Sequence, residues 1–260
     1  MASENRRHRG AHPQDREQFR EESLPSLRAA SADLSWLLSR GYSQPSALKL
    51  VGDRHGLRAR QRLAVQRCAC SDQAWSSRTA RCAPAAALAG AALYVDGFNL
   101  IVTLEAALSG GLVLEARDGC LRDLASVHGS YRAVAETEAA IQWTGRFLAG
   151  HAPRQVVWLL DRPVSNSGRL RRRLEQTAAA HGWPWSVRLA YNPDAELREA
   201  DGLVVTSDST ILDAGVRWTN LARALLVAGP SPDRLWLVRI CEAGPQSDPV
   251  RAAQRNRITP

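Results

Sequence analysis

Lysine is almost absent from this 260-residue chain, because Lys49 is the only one among 34 Lys and Arg residues. Arginine therefore carries the positive charge, and the formal net charge at pH 7 is +8. A basic protein of this kind favours polyanionic partners, and the charge predicts nucleic acid above all. A GC-rich genome, whose codons favour Arg and Ala, would explain the arginine excess equally well.

Cysteine is sparse and lacks the spacing of a zinc site. The chain has five cysteines, of which Cys68 and Cys70 are separated by a single residue. This pair is too close for a CxxC motif, and no second pair matches it. The pattern argues against a zinc knuckle and indicates reduced, structural thiols in a cytoplasmic protein.

Long apolar runs are missing as well. The stretch 85–95 is the nearest candidate, but Gly90 interrupts it and it is about half the length of a membrane-spanning helix. The first 20 residues are charged and lack the apolar core of a signal peptide. These absences predict no membrane partner and a cytoplasmic location, while the sequence gives no indication of whether the protein is a homo-oligomer.

Composition divides the chain into five predicted segments. The two ends are polar, the residues after the first end have helical periodicity with many arginines, and an alanine-rich stretch precedes an alternation of strands and helices. The predicted segments are a disordered tail (1–24), a small all-α basic domain (25–75), a linker (76–92), an α/β domain (93–245) and a second disordered tail (246–260).

The predicted helices of the basic domain span 27–40, a segment starting at 44, and 57–70. Arginines flank the apolar stripe of the third helix on both sides, and a nucleic-acid backbone is one partner that such a surface fits. They could equally be solvated charges around a small core, or a docking face for the α/β domain. The predicted nucleic-acid-binding residues are Arg54, Arg58, Arg60, Arg62 and Arg67.

From residue 93 onward, apolar strands alternate with amphipathic helices, which predicts a parallel sheet covered by helices on both faces. The predicted strands are 93–95, 155–160, 186–190, 202–206 and 234–240. The predicted helices are 99–108, 134–148, 168–180 and 218–226. The segment 111–132 has no clear periodicity, and a short strand followed by a helix is one interpretation.

Three predicted strands end in aspartate: Asp96, Asp161 and Asp208. The carboxyl ends of parallel strands meet at one crevice, and a buried carboxylate is costly unless a cation pairs with it. Oxygen ligands suit Mg²⁺ or Mn²⁺, which can activate a water for attack on a phosphodiester. Asp213 is a fourth candidate catalytic residue and Asp194 a further candidate metal ligand. The alternative is that each aspartate is a turn or N-cap residue; only the set as a whole favours a site.

Small polar residues near these strand ends are candidate substrate ligands, because a helix start can bind phosphate through backbone N–H groups. Helix capping and surface loops are the alternative roles. The predicted substrate-binding residues are Asn99, Ser165, Asn166, Ser207, Tyr131 and Arg132.

Two of these motifs resemble those of PIN-like and NYN-type ribonucleases. The opening motif of that group is similar to Val95-Asp96-Gly97-Phe98-Asn99-Leu100, and its later Thr/Ser-x-Asp motif is similar to Thr206-Ser207-Asp208. Asp161 matches an aspartate that follows a middle strand in the NYN branch. The resemblance implies a PIN-like Rossmannoid sheet and a ribonuclease that depends on Mg²⁺ or Mn²⁺.

The chain from about residue 27 to 240 also resembles an uncharacterised prokaryotic family, which joins a domain of unknown function to a PIN-like half. PIN nucleases place a further acidic ligand on a helix, and Asp123, Glu136 and Glu138 compete for that role here. Two alternatives therefore stay open: a non-catalytic RNA-binding or regulatory protein, and a phosphohydrolase with Asp96 as nucleophile. The second is disfavoured because no aspartate follows Asp96 two residues later.

Overall fold

The computed structural model describes residues 8–9, 12–125, 129–228 and 235–242. The first part is helical and the second alternates between strands and helices. The helices are α1 (Asp15–Gln18), α2 (Leu24–Ser39), α3 (Gln44–Arg54), α4 (Ala59–Cys68), α5 (Asp72–Arg81), α6 (Gly97–Leu108), α7 (Thr137–His151), α8 (Ser167–His181), α9 (Pro193–Arg198), α10 (Ser209–Asp213) and α11 (Leu221–Ala228). The strands are β1 (Cys82–Ala83), β2 (Ala92–Asp96), β3 (Val113–Glu115), β4 (Leu121–Asp123), β5 (Gln155–Asp161), β6 (Trp185–Ala190), β7 (Leu203–Val205), β8 (Trp218–Thr219) and β9 (Leu237–Arg239).

The predicted α/β class is confirmed by a six-stranded parallel sheet with the order β1-β8-β7-β2-β5-β6. Strand β2 lies at its centre, where Val95 pairs with Val205 on one side and with Trp158 on the other. Residues 156–160 of β5 are all buried, as expected for a strand covered on both faces.

The chain reverses its winding direction at β2. It passes from β2 to β5 and β6 on one side of the sheet, and then returns to β7 and β8 on the other side. In open α/β sheets, ligands bind outside the carboxyl ends of the strands at such a switch point. The fold therefore directs attention to the carboxyl ends of β2 and β7.

A second, three-stranded sheet has the order β4-β3-β9. The segment 111–132, which has no clear periodicity, contains the hairpin β3–β4, and the turn of this hairpin includes Gly119 at a φ of +80°. The predicted strand 234–240 is present as β9, but it pairs with β3 instead of joining the parallel sheet; residue 234 lies outside the described residues. Likewise, the predicted helix 218–226 starts only at Leu221, because Trp218–Thr219 forms β8.

The helical region packs directly on this second sheet. One continuous apolar cluster joins Leu27 and Leu34 of α2 and Ala64 of α4 to Leu114 of β3 and Val238 of β9. The boundary at residue 75 that composition predicts therefore does not separate two cores.

The segment predicted as a linker is instead part of the folded structure. Helix α5 extends to Arg81, and Cys82 and Ala83 then pair with Trp218 and Thr219 at the edge of the parallel sheet. Alanine suits helices and close packing as well as linkers, so composition alone is ambiguous here.

Part of the predicted N-terminal tail is also folded, since α1 and a 3₁₀ turn at Glu21–Ser23 lie within it. Asp15 is buried there and forms an ion pair with Arg60. The predicted tail 246–260 falls outside the described residues. Across the described ranges, no helix combines the length and apolarity that a membrane crossing requires.

Candidate active site

The carboxyl ends of β2 and β7 are joined by a side-chain hydrogen bond at the switch point. The hydroxyl of Thr206 donates to Asp96 Oδ2 at 2.8 Å. Asp96 also caps α6, because its Oδ1 accepts from the backbone N–H of Asn99 at 3.4 Å. Gly97 is required at this turn, since a Cβ there would lie 2.9 Å from the carbonyl oxygen of Leu159.

A second set of contacts joins the same two segments. Asn99 Oδ1 accepts hydrogen bonds from the backbone N–H and the hydroxyl of Ser207, at 2.9 and 3.0 Å. Asp208 caps the short helix α10 by accepting from the N–H of Thr210 at 2.6 Å, and its own N–H donates to the hydroxyl of Thr206 at 3.0 Å. The predicted motifs at 96–99 and 206–208 are therefore in direct contact, and both aspartates serve as N-caps in addition to lying at the crevice.

Four carboxylates at this edge of the sheet influence one another. Burial raises the pKa of Asp96 to about 7; hydrogen bonds from Thr206 and Asn99 oppose that rise, and the charges of Asp208 and Asp194 add to it. Burial and the charge of Asp194 raise the pKa of Asp161, and burial and the charge of Asp208 raise that of Asp194. Asp96, Asp161, Asp194 and Asp208, called the acidic crevice below, thus form one cluster of like charges.

The acidic crevice fits a hydrated cation better than a fully enclosed one. In the part of the chain that the structure describes, no three His, Cys, Asp or Glu side chains are grouped closely enough to hold a metal ion. Mg²⁺, however, commonly keeps several waters and takes one or two carboxylates together with substrate phosphates. Oxygen atoms of Asp96, Asp208 and Thr206 are donors of the type this ion prefers, and a cation would relieve the repulsion within the cluster.

Asp213 does not belong to the crevice, which corrects its prediction as a catalytic residue. Its carboxylate accepts from Nε and Nη2 of the buried Arg78, at 2.7 and 2.8 Å. Five positions along a helix correspond to a rotation of about 500°, so Asp213 faces roughly 140° away from Asp208.

The loop of Tyr131 is built into the fold. Tyr131 is only 1% exposed, and its hydroxyl donates to Glu105 Oε1 at 2.5 Å, so its side chain cannot reach a substrate as predicted. Asn166 Nδ2 donates to the carbonyl of Tyr131 at 2.9 Å, and Ser165 pairs through its backbone with the same loop. These contacts give Asn166 and Ser165 a role in anchoring the start of α8, while Arg132 is exposed beside them.

Of the three candidates for a helix-borne acidic ligand, only Glu138 lies within a helix, α7. Asp123 is on strand β4, buried, and accepts from the hydroxyl of Thr103 at 2.8 Å. Glu136 hydrogen-bonds with His8 at 2.5 Å, and Glu138 accepts from Gln142 at 2.9 Å.

The predicted nucleic-acid-binding arginines all have acidic partners within the chain. Four of them pair with carboxylates of the helical region itself, and Arg67 reaches across to β4 and donates to the carbonyl of Ala125 at 3.2 Å. A nucleic-acid backbone would have to compete with these contacts, so the geometry favours the alternative of charges arranged around a core. The pairs are Arg54–Asp33 (3.7 Å), Arg58–Glu17 (2.9 Å), Arg60–Asp15, Arg62–Asp53 (2.8 Å) and Arg67–Asp123 (3.8 Å).

Between the helical region and the crevice lies an open cleft of about 540 Å³. One wall comes from α3 and α4, and the other from the starts of α6 and α10. Asn99, Ser207 and Asp208 therefore face both the cleft and the sheet edge. The remaining lining residues are Gln44, Leu63, Gln66, Arg67, Phe98, Val102, Arg122, Asp123, Ala125, Ser209 and Thr210.

Sequence reasoning missed a buried ion-pair network that supports the site, called the junction network below. Asp118 accepts from Arg78 at 2.6 Å and from Arg122 at 2.9 and 2.7 Å. Arg122 also donates through Nε to the carbonyl of Ser207 at 2.8 Å, which holds the segment leading to Asp208 in place. Arg78 and Asp118 are 40 positions apart, and Arg122 and Ser207 are 85 positions apart, so no local motif marks either pair. The one feature of the sequence that points to this region is Gly119, a turn residue next to Asp118.

Comparisons with known proteins bear on two parts of the chain. Residues 85–224, more than half of the chain, match the model described as "Domain of unknown function (DUF5616)", and residues 26–81 match "Protein of unknown function (DUF434)". The uncharacterized protein MJ0935 of Methanocaldococcus jannaschii is 29% identical over 187 residues, which are 72% of this chain and 89% of that protein. No solved structure matches significantly. The predicted relation to an uncharacterised family is confirmed, and the PIN-like resemblance stays a prediction.

Proposed function

The chain belongs to the family described as "Domain of unknown function (DUF5616)", and we propose that it is a metal-dependent ribonuclease with a PIN-like fold. The observation that carries the proposal is the hydrogen bond between Thr206 and Asp96 at the switch point, inside a cluster in which the charges of Asp208 and Asp194 act on Asp96 and that of Asp194 acts on Asp161. Like charges gathered in this way favour a divalent cation and, through it, a phosphate group.

The four crevice aspartates and Thr206 have different roles in this proposal. Asp96 and Asp208 would hold Mg²⁺ or Mn²⁺ through carboxylate oxygens, and Asp194 and Asp161 would accept hydrogen bonds from waters at the edge of the site. When bound, such an ion acidifies water and neutralises charge on the phosphodiester. Thr206 fixes the orientation of the Asp96 carboxylate, a supporting contact of the kind that metal ligands depend on.

Asn99 and Ser207 act as a clamp between the two motifs. Both donors of Ser207, its N–H and its hydroxyl, are directed at Asn99 Oδ1. In this proposal they keep Asp96 and Asp208 at a fixed separation. The sequence also predicts direct contact of both residues with the substrate phosphate.

The PIN-like assignment is supported by topology as well as by motifs. The parallel sheet reverses its winding between β2 and β7, and the two motifs that resemble those of PIN-like ribonucleases end these two strands. Asp161, the residue that matches the NYN branch, ends the neighbouring strand β5.

The test is cleavage of a single-stranded RNA in Mn²⁺ by wild type and Asp208→Asn. Asparagine is as good an N-cap as aspartate, so α10 stays folded while the metal ligand loses its charge. We expect a loss of at least about 100-fold in rate, because supporting contacts alone are worth 10- to 100-fold. Asp201→Asn is the matched control, since Asp201 is exposed and precedes β7 at the opposite end of that strand. Equal cleavage by wild type and Asp208→Asn overturns the proposal.

One observation favours a second candidate, a non-catalytic RNA-binding or regulatory protein that keeps the same fold. Within the described ranges no three potential ligands are grouped for a metal ion. Titration of the protein with Mn²⁺, followed by electron paramagnetic resonance, separates the two. Metal uptake that Asp208→Asn abolishes supports the nuclease, and absence of uptake together with salt-sensitive RNA binding supports the alternative.

A further inference from the structure

An exposed aromatic ring stands at the end of strand β6, beside the acidic crevice. Tyr191 is 73% exposed, and the guanidinium carbon of Arg162 lies 4.5 Å from the centre of its ring. Strand pairing fixes this arrangement, because Asp161 is opposite Ala190 and the N–H of Arg162 donates to the carbonyl of Ala190 at 2.7 Å. The ring and the guanidinium are thus held together by the sheet itself.

The chain leads from this ring directly back into the crevice. Asn192 follows Tyr191 and caps α9, with its Oδ1 accepting from the N–H of Ala195 at 3.1 Å. Asp194 lies in the first turn of that helix and raises the pKa of Asp161, the residue before Arg162. The ring therefore lies at the same edge of the sheet as two of the four carboxylates.

We propose that Tyr191 and Arg162 form a stacking platform for one unpaired base of a single-stranded RNA whose backbone crosses the acidic crevice. This inference rests on the proposed function, because it takes the crevice as the place of the scissile phosphodiester. A ring with most of its surface open contributes little to the core and leaves that surface available for stacking on a ligand. Aromatic and guanidinium planes are the surfaces on which unpaired bases stack.

The elements next to the platform carry unpaired positive charge of the kind that a phosphate backbone attracts. Arg188 lies on β6, Arg169 and Arg172 lie on α8, which packs on β6, and all three are exposed, as is Arg162. Among the described residues, no acidic side chain forms an ion pair with any of these four. They differ in this respect from the arginines predicted to bind nucleic acid in the helical region, each of which has an acidic partner.

The platform also defines the class of substrate. Bases in a duplex are already stacked on their neighbours, so only an unpaired base can lie on the ring. Stacking depends on the π-face that every base has, and the platform therefore confers little sequence preference.

The experiment measures binding separately from cleavage. The protein carries Asp208→Asn and is kept in EDTA, and the probe is a fluorescein-labelled single-stranded RNA of about ten nucleotides, within the range that one single-strand-binding module covers, followed by anisotropy. Tyr191→Ala in this background should weaken binding roughly 5- to 150-fold, the range that loss of one stacked base gives. Tyr191→Trp should bind at least as tightly as the parent. The matched control is Tyr42→Ala, because Tyr42 is also exposed (57%) but lies in the helical region.

Three outcomes would overturn the inference: unchanged binding by Tyr191→Ala, an equal loss with Tyr42→Ala, or an equal loss on the duplex form of the probe. Circular dichroism of Tyr191→Ala, expected to match the parent, shows that the fold is kept. Because the assay contains neither metal nor an intact crevice, a failure of the ribonuclease proposal leaves its result unaffected and readable.

Discussion

The molecule contains two groups of partly or fully buried aspartates that are treated in opposite ways. In the junction network, Asp118 is enclosed by Arg78 and Arg122 at hydrogen-bonding distance. In the acidic crevice, the closest donors to Asp96 are neutral, the hydroxyl of Thr206 and the N–H of Asn99. Asp118 therefore has guanidinium neighbours, whereas the donors nearest to Asp96 are uncharged.

The pKa values follow this difference. Burial acts to raise the pKa of both carboxyls, but the two arginines outweigh it at Asp118 and hold its pKa far below the usual range. At Asp96 nothing outweighs burial, and the charges of Asp208 and Asp194 add to it, so the pKa reaches about 7. The comparison teaches that arginines neutralise the buried charge of the junction network, whereas no ion pair among the described residues neutralises Asp96.

The largest effect should come from breaking the junction network. Arg122→Met keeps most of the side-chain volume but leaves Asp118 with one arginine and the carbonyl of Ser207 without its donor. Removing one partner from a buried ion pair typically costs about 3–5 kcal/mol. We expect a loss of this size in the free energy of unfolding, measured by urea denaturation.

The matched control for that change is Arg188→Met, since Arg188 is exposed on β6 and should alter stability by no more than about 0.5 kcal/mol. If Arg122→Met were as mild as this control, the network would not be the structural element described here.

An effect of opposite sign is expected in the crevice. The pKa of Asp96 is about 7 in the folded protein and about 3.9 in an unfolded chain. The folded state therefore binds more protons between these values, and the protein loses stability as the pH rises from about 4 to 7. Asp96→Asn removes this penalty and should stabilise the metal-free protein at pH 8 by on the order of 1 kcal/mol, with no gain at pH 4.

Urea denaturation in EDTA at pH 4, 6 and 8 tests this dependence. The substituted carboxamide has one acceptor oxygen where the carboxylate has two, which keeps the expected gain well below the full value of the pKa shift. Asp201→Asn, at an exposed aspartate, should give no difference between wild type and variant at any of the three pH values. A pH-independent loss of stability in Asp96→Asn would show that its cap and hydrogen bonds outweigh the repulsion.

The contrast also explains which parts could be predicted from sequence. Strands β2, β5 and β7 are apolar runs followed by polar residues. The strand ends at Asp96 and Asp161 and the motif that reaches Asp208 can therefore be predicted, because parallel strands bring such ends together. The clamp between Asn99 and Ser207 could be predicted only in part. Both are candidate site residues in the sequence, but their contact with each other could not be predicted.

The remainder depends on contacts between distant residues of ordinary type. Nothing in the local sequence distinguishes Arg78 from the other arginines, because its pairing with Asp118, 40 positions away, is decided by tertiary packing. Arg122 is only four positions from Asp118, but their pairing depends on the β3–β4 hairpin, which the sequence does not indicate. Strand β1 was equally hidden, because it is defined by the pairing of Cys82 and Ala83 with Trp218 and Thr219, more than 130 positions away. The prediction that Asp213 is catalytic is wrong because five positions of helical rotation carry its side chain to Arg78.

The smallest effect should come from Asp213→Asn, which sharpens the boundary between the two groups. Asp213 is about half exposed (49% for its side chain), and Arg78 keeps its contact with Asp118 when the charge of Asp213 is removed. Because solvent screens the lost ion pair, we expect a decrease of about 1 kcal/mol or less in the free energy of unfolding. Cleavage in Mn²⁺, measured beside Asp208→Asn, should stay within about twofold of wild type, since Asp213 faces the junction network. A variant of unchanged stability that had lost cleavage would instead place Asp213 among the crevice carboxylates and remove the distinction between the two groups.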